Sequence, residues 1–154
     1  MELSTSIQNV MVTAGWAAAL TTVSVMTLSS LEHRGPFAPV NAISHIAFGQ
    51  ASVGVEAPKP KLLVTGLVLN AGAMIGWAAV AELGYAVFRL PAGVLLAACP
   101  IAILTTVLAF IVDFHVVPKR LSPGFEMILS KRSLLIVYVA MGAALVVGGL
   151  LRAR

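Results

Sequence analysis

Charge is what this chain has least of: 10% of its 154 residues are Asp, Glu, Lys or Arg, where soluble domains carry about 25%. So few charges cannot cover an ordinary water-facing surface, which excludes a conventional soluble domain. Cysteine is nearly absent too. The single Cys99 rules out an internal disulfide, and neither its spacing nor its apolar setting suggests a metal site. A structural thiol inside a helix is the expectation. Aromatic residues make up only 6%, and no clustered basic face with aromatic or polar readers accompanies the net charge of +4 and the pI near 9.7. Nucleic acid is therefore not an expected partner. Familiar catalytic spacings are missing as well: there is no HExxH, no cysteine pair and no nucleophile elbow. Their absence leans the reading away from an enzyme.

What remains is aliphatic. Hydrophobic residues reach 59% and the mean hydropathy is +0.98, in long runs nearly free of charge, so lipid rather than water is the bulk solvent. Four segments have the roughly 20 apolar residues that a crossing requires: Ile7 to Leu31, Leu62 to Phe88, Ala92 to Val112 and Ser133 to Leu151. The first is the most polar, with Thr13, Thr21, Thr22, Ser24 and Thr27, but hydroxyls can bond back along a helix or across to a neighbour. It opens "MELSTSIQ", without the basic start of a cleaved signal, and is expected to be a retained span. The fold class expected is an all-α membrane protein. Residues 1–154 form a single four-span domain, an antiparallel bundle with short interfacial helices in the cytoplasmic loops.

Four spans put both termini on one side. The connections between spans one and two and between three and four hold Arg34, Lys59, Lys61, Lys119, Arg120, Lys131 and Arg132. The opposite side holds Arg89, Arg152 and Arg154. Seven against three places the long loops in the cytoplasm and both termini outside. The lipid bilayer is thus one partner. Small residues recur at close-packing spacing, Gly72 and Gly76 in span two and Ala140, Ala144 and Gly148 in span four, and read first as packing between the bundle's own helices. The same Gly and Ala faces make a homo-oligomer or a larger membrane complex a second candidate partner.

Polar residues within such a chain need a reason, since an ionisable side chain at the bilayer centre costs about 2.5–3.5 kcal/mol on insertion scales. Glu82 is the deepest carboxylate. It lies two turns, about 10.5 Å, from Arg89, and reads either as a proton or cation site or as a carboxylate hydrogen-bonded to a neighbouring helix. Asn70, in the same span, reads as interhelical glue. Pro100 should bend the third span.

The segment 36–50 contains "PFAPVNAISHIAFG", too polar to cross and too apolar for an ordinary loop. As a helix of about eleven residues from Pro39 it reaches only about 16 Å. Val40, Ile43, Ile46 and Ala47 share one face, and Asn41, Ser44 and His45 the other. The expectation is an interfacial helix or a re-entrant hairpin whose polar trio faces the bundle mouth, headgroups or water. On the same side the third span ends in "IVDFHVVPKRLSPGFE". Its helix should stop before Pro118, "SPGF" should form a turn with positive φ at Gly124, and "FEMILSKR" should form a short interfacial helix.

Two long connections on one side bring His33, Asn41, Ser44, His45, Asp113, His115, Arg120 and Glu126 within possible reach of one another. Their ligand types suit a divalent metal, with His45, Asp113 and Glu126 as candidate ligands, but no known ligand spacing is present. No cofactor is therefore expected, and hydrogen-bonded anchoring of the loops is the favoured role. Asp113 and His115 would project about 200° apart on one helix and cannot share a metal from it.

These motifs resemble those of a group of small, uncharacterised bacterial multi-pass inner-membrane proteins. Asn-Ala-x-Ser-His and Asp-x-x-x-Val-Pro-x-Arg-x-x-Pro-Gly-x-Glu recur there in this order. The resemblance covers nearly the whole chain and carries over to Asn41, Ser44, His45, Asp113, Pro118, Arg120, Pro123, Gly124 and Glu126. It implies an inner-membrane location and no particular activity. The stretch around His45 lacks a tryptophan associated with that group. Three functions follow from the sequence: a structural or accessory membrane component, an oligomeric transporter or channel for protons, cations or a small solute, and a membrane enzyme or metal-binding protein using the His/Asp/Glu cluster.

Overall fold

A computed structural model describes residues 3–152; Arg154, which entered the charge count, lies outside the described residues. Within them the chain is helical and carries no strand. The α-helices are α1 (Leu3–Leu31), α2 (Ala38–Ile43), α3 (His45–Phe48), α4 (Pro60–Val87), α5 (Leu95–Ile111) and α6 (Lys131–Leu151). Four helical stretches are long and apolar enough to cross a membrane: α1, α4, α6, and α5 extended through a π-helical turn to Val116.

Local chemistry sets these boundaries. Pro60 opens α4, where a missing N–H costs nothing. Ser130 caps α6 by accepting a hydrogen bond from the Ser133 amide. Helices α1 and α4 end in the same way, with a non-glycine residue in left-handed conformation just past the helix: His33 (φ 59°) and Arg89 (φ 50°). In each case the next amide reaches back five residues, Arg34 to Ser29 and Leu90 to Tyr85, which satisfies the last carbonyls. Pro118 holds Val117 extended (ψ 145°), and the helical run stops there as its sequence requires.

The core is built from small side chains. Ala17, Ala78, Ala98 and Ala144 are fully buried, while Leu96, Val68 and Ile103 point outward, Leu96 at 87% exposure. Small residues inside and large aliphatics outside let helix backbones approach closely and offer lipid an apolar surface. Helix α1 packs on α4 and α6, and α5 packs on α6 and less extensively on α4.

Three expectations need correction. Ala144 and Gly148 are buried as close packing requires, but Gly72 and Gly76 are exposed, and a Cβ on either would meet no other helix within 4 Å, so they do not pack inside the molecule. "FEMILSKR" forms no continuous helix: a single 3-10 turn, Phe125–Met127, precedes a break at Ser130 where α6 is capped. The segment 36–50 is not one helix, and its polar trio faces protein rather than headgroups or water. It is divided at Ser44 into α2 and α3, and every residue from Ala38 to His45 is buried. The apolar pattern covers only half of that segment; its polar half is buried because other loops bring hydrogen-bonding partners to it.

Candidate functional site

The two long connections meet and interlock. Helix α2 lies across α4, with the Val40 carbonyl pressed so closely on Gly66 that a Cβ there would collide with it. Asn41 donates both Nδ2 hydrogens to the loop that follows, to Val55 O at 2.7 Å and Ala57 O at 3.0 Å. The Ser44 hydroxyl donates back to Asn41 O at 2.6 Å. His45, 1% exposed, donates from Nδ1 to Ala42 O at 2.9 Å, and its Nε2 lies 3.4 Å from Lys119 O in the other connection.

The "SPGF" turn fits against this face. Gly124 has φ 88°, as expected, and a Cβ on it would lie 2.5 Å from Ala42 O and 2.7 Å from His45 Nδ1. Only glycine satisfies both the conformation and the space. The Ser122 hydroxyl donates to Glu126 Oε1 and also contacts Lys119 O at 2.9 Å, closing the turn on itself. Glu126 Oε2 is buried and has no hydrogen-bond partner among the described residues. A further tie comes from Glu32, just past α1. Its carboxylate accepts from the Ser130 amide at 3.0 Å and from the Ser133 hydroxyl at 2.6 Å, at the start of α6.

Of the sequence-derived set, Asn41, Ser44 and His45 belong to this junction, and Glu126 closes the turn packed against it. Asp113 faces elsewhere: its Oδ2 accepts from Tyr138 Oη on α6 at 2.6 Å. His115 is exposed beside Phe110, and Arg120 and His33 are exposed as well. Among the described residues no group of three His, Cys, Asp or Glu side chains is arranged to hold a metal ion. His45, Asp113 and Glu126 do not form a ligand set.

The two intramembrane polar residues have separate surroundings. Asn70 donates to Thr21 Oγ1 at 3.2 Å and Thr22 Oγ1 at 3.1 Å, joining α4 to α1. Glu82 is paired with Arg152 and not with Arg89: Arg152 Nε donates to Glu82 Oε2 at 2.7 Å, and the guanidinium lies 4.9 Å from the Tyr85 ring centroid. Arg89 terminates α4 in left-handed conformation, so the straight helical register that linked it to Glu82 ends before it.

Beneath the junction lies a cavity of about 120 Å³, walled by α1, α4, α6, the α2–α3 segment, the 121–125 turn and the π-helical end of α5. Its polar groups are Thr21, Asn70, Asp113 and Tyr138, and Trp77 and Phe125 are among its apolar ones. Sequence reading missed Tyr138 and Trp77. Tyr138 did carry a signal, being the one aromatic residue in the fourth span: a buried phenol needs a hydrogen-bond partner. Compared with family models, curated proteins and solved structures, the chain matches none.

Proposed function

We propose that this chain is a small multi-pass protein of the bacterial inner membrane with a structural or accessory role. Its four spans form an antiparallel bundle, and its two long connections form a fastened cytoplasmic cap. The antiparallel order is supported by contacts that run in opposite directions along neighbouring helices: Tyr138 meets Asp113, Gly142 lies by Thr106, and Gly149 by Ala98. The excess of Lys and Arg on the two connections supports a cytoplasmic cap and periplasmic termini. The motif resemblance supports the inner-membrane location.

One observation carries the accessory role: the polar side chains of the Asn-Ala-x-Ser-His motif are bonded to the protein's own backbone, with His45 between Ala42 O and Lys119 O. Groups held in this way fasten loops and are not presented to a substrate. The outward Gly72 and Gly76 leave a smooth face on α4, in keeping with a homo-oligomer or a larger complex. Transport past Glu82 has less support, because Arg152 already occupies that carboxylate.

His45→Ala tests the role. It removes a buried hydrogen bond while Ala42 O keeps the Ser44 amide and Lys119 O keeps the Ser122 hydroxyl, a loss of about 0.5–1.5 kcal/mol, read as a lower unfolding temperature in detergent with the four spans still inserted. Unfolding at the wild-type temperature would show that the junction fastens nothing and would overturn the reading.

A further inference from the structure

The cavity beneath the cap carries chemistry that fastening does not use. Asp113 reaches it from the end of α5, and Tyr138, Trp77 and Phe125 also line it. Tyr138 Oη occupies Asp113 Oδ2, but a phenol supplies no positive charge. Among the described residues Asp113 forms no ion pair. A carboxylate thus borders a largely apolar cavity with aromatic walls, and among the described residues that line it there is no side-chain cation.

A carboxylate in such surroundings is costly unless a counter-charge joins it. Aromatic faces attract cations through their quadrupoles, Trp most strongly and Tyr and Phe after it. An ammonium group bearing a short alkyl chain satisfies both demands, with its charge on Asp113 and its carbons against Trp77 and Phe125. Size agrees: about 120 Å³ is somewhat less than the roughly 150 Å³ of an apolar cavity that accepts benzene. We propose that this cavity binds a small alkylammonium group through Asp113, Tyr138 and Trp77. That group arrives either as a free amine or as the headgroup of an aminophospholipid. The chemistry is the same for both sources.

The test uses the full-length protein in dodecyl maltoside, which carries no ammonium. Trp16→Phe leaves Trp77 as the sole indole, since the chain has two tryptophans. Tryptophan emission is followed during titration with n-butylammonium chloride or with dihexanoyl phosphatidylethanolamine below its micellar concentration. Sodium chloride controls for ionic strength, and 1-butanol is the neutral isostere. A saturable change with either ammonium source is expected, at least tenfold weaker in Asp113→Asn and at least tenfold weaker for 1-butanol. A response to butylammonium alone identifies the free amine, and a response to the phospholipid alone identifies the headgroup. Ala73→Leu supplies a second variant that keeps the carboxylate and fills the cavity from α4; it is expected to abolish the change. The proposal is overturned if neither ammonium source gives a saturable change, if 1-butanol binds as well, or if Asp113→Asn or Ala73→Leu binds with wild-type affinity.

Discussion

Glu82 illustrates how a membrane protein holds a charge it cannot leave bare. Its carboxylate and the Arg152 guanidinium are each 7% exposed, so both are removed from water and each is the other's compensation. The Tyr85 ring flanks the guanidinium at 4.9 Å, and Gly149 leaves room for the Tyr85 hydroxyl where any Cβ would collide with it. Four residues from α4 and the end of α6 therefore depend on one another. Glu82→Gln keeps the shape and removes the charge. It is expected to destabilise the protein by about 1.5–3 kcal/mol, the range for hydrogen bonds to charged groups, measured by thermal unfolding in detergent. Arg89→Ala, at a residue that does not reach Glu82, is the contrast: its effect is expected to stay below that of Glu82→Gln. Equal losses from the two changes would contradict the pairing.

At the scale of elements, the start of α6 shows one helix completing another. Lys131 and Arg132 put two positive charges in the first turn of α6, where the helix dipole disfavours them. Glu32, from just past α1, brings the negative charge that this terminus lacks. Hydrogen bonding with the Ser130 side chain first, and the Ser133 side chain second, holds the Glu32 carboxyl below the ordinary carboxylate range. A folded pKa below the unfolded one means that the contribution is complete above the ordinary value of 4.5 and is lost as pH falls through the folded value. Glu32→Gln is accordingly expected to cost about 0.3–1 kcal/mol at neutral pH and to match the wild type once the carboxylate is protonated. Unfolding temperatures of the two proteins between about pH 7 and the acid limit of detergent stability check this. A difference that persists undiminished into acid would rule out the ionised clasp.

For the whole molecule, what could be read in advance was what depends on runs and on local rules. Four spans follow from uninterrupted aliphatic stretches, the stop at Val117 from Pro118, and the positive φ at Gly124 from a Pro-Gly turn. What could not be read depends on contacts distant in sequence. The burial of Asn41 rests on the carbonyls of Val55 and Ala57, the pairing of Glu82 on where α6 ends, and the cavity on Asp113 meeting Tyr138. Spacing along one helix reports none of these. Orientation stands between the two groups. Contacts of His45 with Lys119 and of Glu32 with Ser130 put both long connections at one end of the molecule, so the basic residues on them act together. On the proposed reading, the positive-inside bias turns that end toward the cytoplasm. In a Cys99→Ala background, single cysteines at the exposed positions Gln50 and Pro91 mark the two ends. In intact spheroplasts a membrane-impermeant maleimide is expected to label Pro91→Cys and to reach Gln50→Cys only after the membrane is opened. Labelling in the reverse order would place the cap outside, and the seven basic residues of the two connections would then need another explanation.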